Sequence, residues 1–187
     1  MNTAAGLLTQ YAAGERNFGG YDFSEFNLAG QNLAQVNFQR VNLNVANLSG
    51  ANLSGANLTQ AKLNVARLSG ANLTQANLAG ATLNVANLVQ AIAQGIDARF
   101  ASFLQAEMVR IDLSGSNLRG GIFTDADLRE AKLVKANLIE ANFSNADLRG
   151  GILAESYLSR ANLHSTNLSR ADLRGADFGN AELRHEL

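Results

Sequence analysis

From Phe18 to Leu183 every fifth residue is large and apolar. The 34 positions numbered 3 or 8 in their decade hold 24 Leu, seven Phe and one Met, and only Ala93 and Ala98 break the series. Two places before most of them stands Ala, the residue between is mostly Asn or Asp, and the remaining two are polar or Gly. A helix repeats its apolar residues every 3.6 positions and a half-buried strand every 2.0, so neither template fits. Ala and Leu lie two apart, which puts both on one side of a short extended segment and Asn on the other. The next two residues must turn a corner. Gly occupies the fifth position in 11 of its 17 occurrences, among them Gly50, Gly55 and Gly70, and a corner that needs φ > 0 suits it.

A second period is nested on the first. N-V-A-[NR]-L recurs at Asn44, Asn64 and Asn84, so four fives make one turn. The pattern predicts an all-β solenoid: a quadrilateral parallel β-helix of about eight four-sided coils, stacked at roughly 4.8 Å into a rod on the order of 40 Å long. One coil cannot bury its own Leu, and the stack buries a continuous column. The same arithmetic places Phe103, Phe123 and Phe143 above one another, and Val45, Val65 and Val85 in a column at a corner. Residues 2–14 read as a capping helix, with Thr3 as N-cap, Leu7, Leu8 and Tyr11 on one face and Gly14 as the stop. It would lie over an aromatic first coil of Phe18, Tyr21, Phe23 and Phe26.

The A-[DN]-[LF]-x-x pattern resembles the pentapeptide repeat family, over roughly residues 17–185 of a single domain spanning 1–187. The resemblance implies a right-handed quadrilateral β-helix. The segment Y-A-A-G-E-R-N-F, Tyr11 to Phe18, is similar to the N-terminal cap of cyanobacterial members.

The irregular stretch is 89–104, VQAIAQGIDARFASFL. Ala93 and Ala98 stand where Leu or Phe belongs, and the large residues have moved to Ile92, Ile96 and Phe100. Two readings compete: a continuous coil in which Ile96 fills the space Ala98 vacates, or a loop or short helix leaving the wall. Val89, Ile96, Phe100 and Leu104 are the candidate partner-binding residues, since an apolar cluster on a polar rod marks a contact site. Further on, Gly121-Ile122 and Gly151-Ile152 put Gly at the inward Ala position and Ile at the outward one, which means either a bulge or a surface Ile.

Composition narrows the function. A net charge of −1 gives no strong field to recruit nucleic acid. The chain has no Cys, hence no thiol or disulfide chemistry. No apolar run approaches the ~18 residues that span a bilayer, and no secretory signal opens the chain, so a cytoplasmic protein without membrane contact is expected. Residues 1–90 carry 7 charged side chains and residues 91–187 carry 24, so a charged partner should favour the second half. Glu107, Asp127 and Asp147 fall in one outward column, but Arg110, Arg129 and Arg149 follow two or three residues later, which reads as a mixed solvated face. His164 and His185 are isolated and read as surface residues. No catalytic, cofactor or metal constellation is expected, and no pocket in a filled core.

The expectation is therefore a non-enzymatic scaffold that docks another protein. The last coil is the expected contact of a homodimer, through its exposed edge. The resemblance also carries an alternative, because some members of the family are DNA-mimic inhibitors of type II topoisomerase. Those are strongly acidic dimeric rods, a pattern from which this chain departs in its net charge and in lacking a C-terminal dimerising helix.

Overall fold

The computed structural model describes residues 3–183; residue 2 of the expected cap, the last repeat positions 184–185 and His185 lie outside them. The chain is a short helix followed by a right-handed quadrilateral parallel β-helix. Each wall pairs with the coil above through its Asn-type residue, always twenty residues on, as in Asn17 with Asn37 and Asn142 with Asn162. Four walls result. The first carries the column from Asp22 to Glu182, the second Asn27 to Asn167, the third Asn32 to Asp172 and the fourth Asn17 to Asp177.

The five-residue period follows from satisfying every backbone amide. In the module around Leu48, the Asn47 N–H donates down to Phe26 O at 2.9 Å, and Leu48 and Gly50 donate up to Arg67 O and Ser69 O at 2.7 and 2.9 Å. The Ala46 N–H closes the corner onto Leu43 O at 3.1 Å. The fifth amide, that of Ser49, faces no carbonyl and donates to Asn47 Oδ1 at 3.2 Å. A buried donor without a partner is costly, and a short Asx side chain bonds the backbone two residues ahead. That is why Asn and Asp fill the outward position.

Where the first wall lacks Asx, at Lys62, Thr82 and Ser102, a different asparagine takes over. The Asn64, Asn84 and Leu104 amides donate to Oδ1 of Asn44, Asn64 and Asn84 in the preceding coil, at 2.9, 3.1 and 3.3 Å. This ladder is the physical content of the N-V-A repeat.

Every corner residue numbered in fives from 20 to 180 has positive φ, Gly or not. Val45, Val65 and Val85 hold φ of 63°, 60° and 59°, a left-handed conformation that is uncommon for a β-branched side chain. The inter-coil hydrogen bonds impose it.

The inward Leu, Phe and Ala form one continuous core. Phe103, Phe123 and Phe143 stack nearly parallel, with centroids 5.0 and 4.7 Å apart. The helix α1, Ala4–Ala12, closes the first coil. Thr3 Oγ1 accepts from the Gly6 N–H at 3.1 Å, Leu7 is fully buried and the Tyr11 hydroxyl donates to Ala34 O at 2.9 Å. Arg16 stacks 3.8 Å above the Tyr11 ring.

The stretch 89–104 stays in the wall: Ile92, Asp97 and Ser102 all pair with the coils on either side. Ile96 takes an inward place normally held by Ala and is buried beside Ala98. The usual bond from residue 96 to residue 93 is absent at this corner, and a hydroxyl is inserted in its place. Ser116 Oγ donates to Ala93 O at 2.9 Å and accepts from the Ile96 N–H at 3.2 Å. No bulge forms at Gly121, since Ile122 pairs with Ser102 and Asn142 and lies on the surface.

Candidate interaction surface

The four residues expected to form a contact site do not come together. Ile96 is 3% exposed and belongs to the core, which corrects its assignment as a partner-binding residue. Val89 lies at the corner between the second and third walls, diagonally across the rod from Phe100, at the corner between the fourth and first. Spacing of three and four residues gathers side chains on a helix, but on a square coil five residues are a quarter turn. Phe100 and Leu104 stand at the two edges of the first wall, and Leu104 and Val89 at the two edges of the second.

The first wall carries the more coherent apolar surface. Phe100 is 65% exposed with φ of 57°. Its ring lies over Gly120 of the next coil, so closely that a Cβ there would sit 2.6 Å from the ring. Ile122, two residues past Gly120, projects from the wall. At the opposite edge Val85 is exposed and its amide donates to Leu104 O at 2.8 Å. The outward positions between these edges, Thr82, Ser102 and Ile122, are uncharged. Ile122 and Val85 are not among the four expected contact residues, although reading the sequence modulo twenty brings them beside Phe100 and Leu104.

The second wall carries the acidic column, Glu107 paired with Asp127 and Asp127 with Asp147. Its charge is largely answered on the spot. Arg129 binds Asp127 through Nε and Nη2 at 2.8 and 2.6 Å, and Arg149 binds Asp147 at 2.9 and 2.6 Å. The same D-x-R clamp recurs at Asp97–Arg99 and Asp172–Arg174. The Arg149 guanidinium holds Asp147 below the usual carboxylate range, Arg99 does so for Asp97, and Arg174 pulls Asp172 to about 2. Glu130 is lowered in the same way by Arg110.

A folded-state pKa below the unfolded value contributes stability above the unfolded pKa and loses it as pH falls through the folded one. Stability should therefore be level above about pH 5 and decline from roughly pH 4 towards pH 2, as followed by urea denaturation at a series of pH values. A decline that begins above pH 5 would contradict this assignment. Sodium chloride should shrink the acid-sensitive part, because these pairs are exposed.

Among the described residues no group of three or more His, Cys, Asp or Glu could hold a metal ion, and no helix is long and apolar enough to cross a membrane. The surface depressions are open notches between side chains. One lies along the Arg129–Arg149 corner, another beside Val65 and Val85, and a third at the C-terminal coil.

The model of the pentapeptide repeats matches in eight copies that together run from residue 22 to 180. A search of curated proteins gives no match. Among solved structures, the chain is 31% identical to HetL of Nostoc sp. strain PCC 7120, a pentapeptide repeat protein involved in heterocyst differentiation regulation, over 100% of this chain and 95% of that one, with a TM-score of 0.40. It is 23% identical to a trypsin-treated form of QnrB1, a plasmid-mediated fluoroquinolone resistance protein, over 90% and 89% of the two chains, with a TM-score of 0.56. A pentapeptide repeat protein of the Arabidopsis thaliana thylakoid lumen is 31% identical over 64% of this chain and 73% of its own, with a TM-score of 0.28. With its repeats matched along nearly its whole length and its coils closed by the bonding that the five-residue period requires, the chain belongs to the pentapeptide repeat family.

Proposed function

We propose that this protein is a non-enzymatic scaffold that docks another protein on its first wall, around Phe100, Ile122, Leu104 and Val85. The observation that carries the reading is Phe100. A bulky aromatic held at positive φ is unfavourable for the backbone, and its ring is left mostly in water. The opposed Gly120 makes room for that ring to lie on the wall. An exposed apolar cluster on an otherwise polar surface is the feature that protein contacts use.

The reading sets the scaffold in a cyanobacterium, on the strength of the Tyr11–Phe18 segment, and takes its compartment to be the cytoplasm. It also keeps end-to-end pairing of two copies through the last coil, whose Leu168, Leu173 and Phe178 are only half-buried; sedimentation of the intact chain would test that pairing.

The test is affinity capture from a cyanobacterial lysate with three chains: wild type, Phe100→Ser/Ile122→Ser, and Val89→Ser at the opposite corner. All three should show the same circular dichroism. The double variant should lose the bound protein by roughly tenfold or more, the loss expected of central apolar contacts, and Val89→Ser should keep it. Equal retention by both variants would move the docking surface off this wall.

The alternative, a DNA-mimic inhibitor of type II topoisomerase, draws on a loop at 89–100, a stretch that stays in the wall, and otherwise has only the acidic column of Glu107, Asp127 and Asp147. The Arg129 and Arg149 clamps leave that column without a run of uncompensated negative charge. We therefore expect no inhibition in a gyrase supercoiling assay.

A further inference from the structure

The corner between the second and third walls carries Arg110, Arg129, Arg149 and Arg170 on successive coils. Gly150 interrupts the row and leaves a notch of about 450 Å³ lined by Arg129, Glu130, Arg149, Gly150, Ser169 and Arg170. We propose that this notch binds the carboxylates of a short acidic segment of a protein partner. The proposal rests on the scaffold reading in taking the ligand to be a protein.

A guanidinium has five N–H donors and a carboxylate only acceptors. Arg129 and Arg149 commit Nε and Nη2 to Asp127 and Asp147. These clamps hold the two planar groups in place, and fixed guanidiniums bind carboxylates with little further ordering. Arg170 makes no ion pair or side-chain hydrogen bond among the described residues. The carboxylate within the notch, Glu130, is taken by Arg110 at 2.8 Å. Glu107, next along the second wall, accepts from Asn87 Nδ2 at 2.7 Å. The local acceptors are thus engaged, while Arg170 and the remaining N–H groups of Arg129 and Arg149 are not. The complement of such a site is one or two carboxylates. A long polyanion does not fit, because its phosphates would run onto Glu107, Asp127 and Asp147.

The test uses the full chain and a rhodamine-labelled hexaglutamate peptide read by fluorescence anisotropy, with hexalysine as the opposite-sign control. Hexaglutamate should bind and hexalysine should not. Arg170→Gln should weaken binding about tenfold, the loss expected for a charged hydrogen bond. Gly150→Glu should abolish binding by placing a carboxylate in the notch; Glu130, Glu140 and Glu155 already adopt the required backbone angle. Arg40→Gln, at a different corner, should leave binding unchanged. Absence of hexaglutamate binding, or equal weakening by Arg40→Gln, overturns the proposal. Displacement of the peptide by inorganic phosphate at concentrations where acetate has no effect would reassign the notch to phosphate and overturn the carboxylate assignment. Because the probe is a peptide, failure here leaves the first-wall capture experiment standing.

Discussion

Phe123→Ala should destabilise the rod by about 3–5 kcal/mol, the range for removing a buried aromatic side chain. Phe123 is fully buried and lies between two rings, 5.0 Å from Phe103 and 4.7 Å from Phe143. Removing it takes contact from both faces of the column. The wall cannot collapse to refill the space, because its position is fixed by hydrogen bonds to the coils above and below. Gly121 adds to the loss: it offers no side chain to move in, and a Cβ there would lie 2.9 Å from the Phe123 ring. Phe123→Leu, which restores the residue most coils use, should cost much less, about 1–2 kcal/mol. Guanidinium denaturation of the three chains measures both values. A loss below about 1 kcal/mol for the alanine variant would mean that the column contributes little beyond ordinary burial.

Ser116→Ala should cost about 2–3 kcal/mol although it removes a single oxygen. The Ser116 hydroxyl is the partner of the Ala93 carbonyl and of the Ile96 amide, and each buried polar group left unpaired costs ~1–3 kcal/mol. In most coils Ala at this place is harmless, because the corner closes on itself, as Ala46 does onto Leu43 at 3.1 Å. Here that bond is absent, and the Ser116 hydroxyl bridges the two groups instead. Ile96→Ala/Ala98→Leu rebuilds the usual coil, and on that background Ser116→Ala should cost under about 1 kcal/mol, because the direct corner bond can form. The difference is a coupling energy between residues in contact. Equal costs on both backgrounds would show that Ser116 does not depend on Ile96.

The extent to which the chain can be read in advance differs between core and surface. Most inward residues needed only the period: Leu, Phe and Ala recur without a phase slip, with Val36, Ile111, Ser116, Ser156 and Thr166 buried among them. The phenylalanine stack could be placed by counting. The stretch 89–104 was harder, because periodicity reports where apolar residues usually fall, and Ile96 is apolar in an unusual place. The hydroxyl that joins Ala93 and Ile96 there comes from Ser116, twenty residues beyond Ile96. The contact surface was harder still. Val89, Ile96, Phe100 and Leu104 are close in the chain and off phase, but a coil that turns a corner every five residues sends them to two opposite corners, a buried wall and a third corner.

By itself the sequence determined the fold, the number of walls and the identity of the core, since a short repeat forces every coil to solve the same burial and hydrogen-bonding problem. Only the tertiary structure decided which outward residues meet. Surface neighbours on successive coils are eighteen to twenty-one residues apart, and no local pattern selects among them. Phe100 meets Gly120, Ser116 enters the corner of Ala93 and Ile96, and Arg110 takes Glu130. Each of these contacts is set by the stacking of coils, which fixes the walls first and leaves the side chains on them to pair afterwards.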